Sequence, residues 1–179
     1  IIIIRNAETN SNSHSNKKYR NETEKKTSNS DELSLKGKER AAALVPYLLQ
    51  THEFTTFSTP AAIYAAALPQ PATSQYTQDT VRPIADFLKI GIKDTFEPKD
   101  YKKMVEEIKK DTSLSGKTVL ICWDYLLIPE LARAFGALQT PATWPTNAFD
   151  RTWIITLQPS RKASFQNLPQ RLMYGDSST

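Results

Sequence analysis

At 179 residues, with 39% apolar and 23% charged side chains, the chain suits one folded domain with a core of its own, and no apolar stretch is long enough to cross a bilayer. The net charge of +4 comes without a dense basic block, which argues against a nucleic-acid partner: Lys17-Lys18-Tyr19-Arg20 and Lys25-Lys26 are interrupted by Glu22 and Glu24. The single Cys122 excludes an internal disulfide, and its apolar neighbours make it a small buried hydrophobe rather than a thiol catalyst. The chain begins at Ile1 rather than Met, which reads as a trimmed or processed terminus. Secreted and cytoplasmic settings both stay open, and the sequon Asn21-Glu22-Thr23 matters only in the first.

Four consecutive isoleucines, residues 1–4, have the β-branched continuity of a strand buried on both faces. Residues 9–31 are rich in Ser, Asn, Thr and Lys, with Tyr19 as the one large apolar-bodied side chain, and predict a long mobile loop. Ser34 is placed to cap a helix that carries Ala41 to Leu49, with Leu44, Val45 and Leu48 on one face and Pro46 as a kink. His52 follows that face and is expected to sit at the helix's carboxyl end, where a cation is favoured. A short strand is expected around Ile63-Tyr64. Thr77–Leu88 reads as a helix broken near Pro83 and ended by Gly91.

Tyr101–Lys110 is amphipathic, with Met104, Val105 and Ile108 inward and Lys102, Lys103, Lys109 and Lys110 on the solvated face. Gly116-Lys117 turns into a strand at 118–123. Pro129–Phe135 is a helix stopped by Gly136, Trp153–Leu157 is a last strand, and 165–179 reads as irregular. Trp123, Trp144 and Trp153 are expected to pack in the core or at its rim. Strands alternating with helices predict an α/β fold with a mainly parallel sheet, as one domain over 1–179.

Two segments then stand out. The first strand runs into Arg5-Asn6-Ala7-Glu8. The strand Val119-Leu120-Ile121-Cys122-Trp123 runs into Asp124-Tyr125. These resemble the histidine phosphatase superfamily, the phosphoglycerate mutase-like fold, in its subgroup whose first strand ends Arg-His-Ala-Glu and whose later strand ends in a motif like Cys-Trp-Glu-His. Leu33-Ser34-Leu35-Lys36-Gly37-Lys38-Glu39-Arg40-Ala41 resembles the family's Leu-Ser-Pro-x-Gly-x-x-Arg-Ala segment. Ser74-Gln75-Tyr76-Thr77-Gln78-Asp79-Thr80 resembles its Ser-x-Arg-x-x-x-Thr segment. Trp144-Pro145 and Phe149-Asp150-Arg151-Thr152-Trp153 resemble the subgroup's closing segment. The resemblance implies a three-layer α/β/α sandwich and a cleft built by Arg5, Asn6, Glu8, Tyr76, Asp124 and Tyr125.

It also implies what those positions should supply. In the family an imidazole attacks phosphorus, two arginines hold the equatorial oxygens, a second His adds positive charge, and a carboxyl protonates the leaving group. Here Arg5 alone matches. Asn6 stands in place of the nucleophile, and its amide nitrogen is delocalised into the carbonyl and cannot attack. Tyr76 replaces the second Arg and Tyr125 the second His. Asp124 stands where the subgroup has Glu. Ala7 fits the subgroup, and Glu8 is retained, most often as a structural group.

A charge pair near 4 Å is worth roughly 4 kcal/mol at an effective dielectric of about 20, so a cradle reduced to one guanidinium should hold a phosphate dianion poorly. Asn, Tyr and Tyr around one Arg suit a carboxylate, a weakly charged molecule or a partner's side chain better. The first expectation is a pseudophosphatase that binds a small molecule or a protein. The second is an enzyme of another class, an isomerase, cyclase or lyase, with Arg5 orienting the substrate and Asp124, Glu8, Tyr76 or Tyr125 moving protons. The third, ranked last, is residual phosphatase activity through His14. Tyr76 and Tyr125 as plain packing residues weigh as much as a ligand role for them. No cofactor or metal is expected.

Overall fold

The structure, a computed structural model, describes residues 1–11, 31–68, 75–158 and 161–177. Six strands form one sheet: β1 (Ile2–Arg5), β2 (Pro60–Ala65), β3 (Ile92–Lys93), β4 (Thr118–Trp123), β5 (Arg151–Thr156) and β6 (Ser164–Pro169). Among the described residues four α-helices accompany them: α1 (Leu35–Gln50), α2 (Tyr76–Leu88), α3 (Tyr101–Lys110) and α4 (Ile128–Ala134). The strand order is β3-β2-β4-β1-β5-β6. The pairs β2–β3, β2–β4 and β1–β4 are parallel, while β5 runs antiparallel to both β1 and β6.

Alternation along the strands builds two cores. Ile3, Tyr64, Ile121, Trp123, Trp153 and Ile155 face α3 and α4, where Met104, Val105, Ile108, Ile128 and Leu131 meet them. Ile2, Ile4, Ile63, Leu120, Cys122 and Ile154 face α1 and α2, meeting Leu44, Leu48, Val81 and Ile84. Each such aliphatic side chain, fully buried, is worth about 1.5–3 kcal/mol. The sandwich thus has the three layers expected, with Ile2, Ile3 and Ile4 of the isoleucine run buried and Ile1 only partly so. All three tryptophans are buried, as is Cys122. Among the described residues no helix is long and apolar enough to cross a membrane.

Several local expectations need correction. Pro83 does not break α2, which continues through it; burial of Val81, Ile84 and Ala85 outweighs the lost backbone donor. Gly91 is not the stop. Lys89 takes the left-handed conformation after Leu88 (φ 56°), and its N–H closes on the Ala85 and Asp86 carbonyls. His52 does not cap α1. Thr51 does, its hydroxyl donating to the Tyr47 carbonyl at 2.6 Å, while His52 lies exposed in the next turn. Residues 164–169 are strand rather than irregular, because an edge strand buries little and can be built from polar residues such as Ser164, Gln166 and Asn167. Ser34 does cap α1, accepting from the Gly37 N–H at 3.1 Å.

Candidate functional site

The register of the central strands delivers the site. Arg5 pairs with Trp123 at the carboxyl ends of β1 and β4, so residues 6–8 and 124–125 leave the sheet side by side. That end of a parallel sheet is where α/β folds bind ligands. α2 begins at the same edge: the Thr77 hydroxyl donates to the Ala66 carbonyl, just past β2, at 2.8 Å. The Ala7 N–H donates to the Thr80 hydroxyl at 2.9 Å, and that hydroxyl donates to the Tyr76 carbonyl at 2.7 Å. Tyr76, the first residue of α2, is thereby tied to the loop that follows Arg5.

The segment before and within α1 holds the same loop from its other side. The Ser34 N–H and hydroxyl both donate to the Glu8 carbonyl, at 2.9 and 3.1 Å. Gly37 packs so tightly there that a Cβ on it would collide with that carbonyl oxygen. Arg40, only 2% exposed, donates from Nε and Nη2 to both carboxylate oxygens of Glu8 at 2.9 and 2.8 Å. Its Nη1 and Nη2 donate to both oxygens of Asp176 at 2.9 and 2.7 Å, and Nη1 reaches the Gln170 side-chain carbonyl at 3.2 Å. Burial alone would push the Glu8 carboxyl up, but the Arg40 hydrogen bonds and charge, with Lys36 at 3.6 Å, hold it below its ordinary value. An isolated antiparallel bridge joins Thr9 to Leu33.

Arg5 is built differently. It is 4% exposed and has no carboxylate partner within ion-pair distance among the described residues. Its Nη1 donates to the Thr146 carbonyl at 2.6 Å. Its Cζ lies 4.2 Å from the Tyr125 ring centroid and 3.8 Å from that of Phe149. Its Nε is buried without a hydrogen-bond partner. Burial pulls the guanidinium down to about 10, against the opposing pull of Tyr125, Asp124 and Glu8.

Asn6, 7% exposed, turns its amide onto the loop itself, donating to the Ala7 carbonyl at 2.9 Å. Asp124 accepts from the Leu126 N–H at 2.9 Å, which shapes the turn into α4. Tyr76 is half-buried; burial, then the charge of Asp124, raises its phenol above the ordinary value, and Arg5 pulls the other way. Cys122, fully buried beneath Arg5, has its thiol pushed well up by burial and offers no nucleophile.

Of the residues expected at the cleft, Arg5 and Tyr125 touch, and Asp124 and Tyr76 lie within electrostatic reach of Arg5. Asn6 is spent on its own loop and Glu8 on Arg40. His14 and Ser74 lie outside the described residues. Sequence reasoning assigned no part to Phe149, Thr146, Thr80 or Asp176. Phe149 and Thr80 do lie in the segments quoted above, so the order of those segments carried the signal without the contacts.

No protein-family model matches the chain. No curated protein matches it either. Among solved structures, that of the protein histidine phosphatase SixA complexed with tungstate superposes with a TM-score of 0.62 at 14% sequence identity, covering 94% of this chain and 96% of that one. A likeness of that extent at so low an identity concerns the fold alone, and the chain has the phosphoglycerate mutase-like α/β fold that SixA also has.

Proposed function

We propose that this chain is a catalytically degenerate relative on the histidine-phosphatase fold, a pseudophosphatase that binds a small molecule or a protein partner and does not hydrolyse phosphate esters. The observation that carries this reading is Asn6. It follows Arg5 at the strand end where a nucleophilic imidazole would stand, and its amide is directed to the Ala7 carbonyl. An amide nitrogen has no free lone pair for attack on phosphorus. The surroundings agree, since Tyr76 and Tyr125 bring phenols, which carry no positive charge in any protonation state.

The test is intact-mass spectrometry after incubation with acetyl phosphate and p-nitrophenyl phosphate. No phosphoryl adduct and no turnover are expected. Asn6→His alone should restore neither, because the pocket still lacks a second cation. The triple variant Asn6→His, Tyr76→Arg, Tyr125→His should raise affinity for inorganic phosphate at least tenfold, as roughly one recovered charge-assisted contact allows. A covalent phospho-adduct in the unsubstituted chain would overturn the proposal. Turnover lost on His14→Ala would transfer activity to that residue.

A second reading, an acid/base enzyme of another class, is favoured by one observation: Asp124 acts electrostatically on both Tyr76 and Arg5. Solvent deuterium entering a bound carboxylic acid, and failing to enter with Asp124→Asn, would promote it over the first.

A further inference from the structure

The two buried arginines use the same chemical edges to different ends. Arg40 grips Glu8 with Nε and Nη2, the pair of donors on one side of the guanidinium. It grips Asp176 with Nη1 and Nη2. Arg5 has only its Nη1 engaged, on the Thr146 carbonyl. Its Nε is buried without a partner, and its Nη2 makes no hydrogen bond among the described residues. The edge left without an acceptor on Arg5 is thus the edge with which Arg40 holds a carboxylate.

An open donor pair on a guanidinium that is 4% exposed is costly unless something occupies it. The rings of Tyr125 and Phe149 offset part of that cost through their π faces. Two coplanar donors on one side of a buried guanidinium call for acceptors, and an anion with two oxygens in one plane would meet both at once.

Charge and shape then narrow it. A tetrahedral dianion keeps oxygens outside the plane of the guanidinium fork, and these require further cations. The neighbours that could meet them are Tyr76, Tyr125 and Asn6, all without positive charge, and Asp124, whose charge would repel them. A planar monoanion places both oxygens on the open edge and requires nothing more. We infer that the Nε/Nη2 edge of Arg5 is the seat of a small-molecule carboxylate, in preference to phosphate.

This inference rests on the non-hydrolytic reading of the same site and narrows it. The test is calorimetric titration of the protein with sodium benzoate, benzamide and inorganic phosphate at one ionic strength. Benzoate should bind at least tenfold more tightly than its neutral amide and than phosphate. Arg5→Lys, which keeps the charge and removes the fork, should weaken benzoate at least tenfold. The Nε–H resonance of Arg5 should shift on adding benzoate and stay in place with benzamide.

Phosphate binding tighter than benzoate, benzamide binding as well as benzoate, Arg5→Lys without effect, or no benzoate binding each overturns the inference. Should Arg5→Lys fail to fold, the three ligands on the unsubstituted protein decide alone. Phosphate preferred without a phospho-adduct sinks the carboxylate seat and leaves the pseudophosphatase standing. A phospho-adduct sinks the reading beneath it.

Discussion

Arg5, at the end of β1, and Arg40, gripping Glu8 three residues further on, are opposite solutions to burying a guanidinium. Arg40 meets two carboxylates with forked hydrogen bonds; burial works against its charged form, but the Asp176 and Glu8 contacts outweigh it and its pKa is raised. Arg5 meets a backbone carbonyl and two rings, and burial leaves its pKa lowered to about 10. The first is a finished structural joint linking the site loop, α1 and the segment that carries Asp176. The second lacks the carboxylate that completes the first, and it stands at the carboxyl end of a parallel sheet, where the proposed ligand would sit.

The largest effect should follow from breaking the finished joint. Arg40→Met leaves the Glu8 and Asp176 carboxylates facing each other in a nearly closed space. Breaking a buried pair from one side costs about 3–5 kcal/mol. Chemical denaturation should show a loss of that size, and a loss below about 1 kcal/mol would mean the pair is solvated and screened in solution. Next in size is Gly37→Ala. It touches neither arginine, but its Cβ would strike the Glu8 carbonyl oxygen, so the turn must shift. Overpacking of this kind costs about 1–3 kcal/mol, and Ser34 and Glu8 would lose their register together.

Acid should act on Arg40's side of the comparison alone. Glu8 and Asp176 are both held below their ordinary values of 4.5 and 3.8. A carboxyl depressed in the folded state contributes stability that is full above its unfolded value and is lost as pH falls through its folded one. Stability should therefore fall on acidification below about pH 4.5, over a range extending under the ordinary carboxylate values. In Arg40→Met the same titration should flatten or reverse, since protonation then relieves two unpaired buried carboxylates. Urea midpoints measured across pH 3 to 6, on the order of one unit apart, check both signs.

That contrast also explains what was legible in the sequence. The frame was legible because it rests on periodicity: the isoleucine run, the 118–123 run and the inward face of α3 each declare their partners through hydrophobic spacing. Asn6, Tyr76 and Tyr125 could be singled out because each falls inside a short ordered motif. The finished joint was only half legible. Arg40 and Glu8 lie in quoted segments, but Asp176 is remote in sequence and sits in a stretch with no periodicity to flag it. Phe149 was equally hidden, since an aromatic after a loop reads as packing until its ring is seen on a guanidinium. β6 was missed because an edge strand can be almost wholly polar, and α2 was divided because Pro83 is a breaker only where packing does not hold the helix.

The smallest expected change is the sharpest comparison. Arg5→Met removes one hydrogen bond to Thr146, of the charged kind worth about 1.5–3 kcal/mol, and two cation–π contacts worth about 0.5–2 kcal/mol each. It also removes a buried cation without a carboxylate partner, whose desolvation costs several kcal/mol, and leaves a flexible thioether against the Tyr125 and Phe149 rings. The opposing terms are of one size, so stability without ligand should change by less than about 1 kcal/mol in either direction. The same substitution at position 40 should cost several times more. Adding benzoate should stabilise the unsubstituted protein while leaving Arg5→Met unmoved, because a ligand stabilises only the chain that binds it. If instead Arg5→Met loses as much as Arg40→Met in the absence of any ligand, the guanidinium already has its partner within the protein, and the open edge is no seat at all.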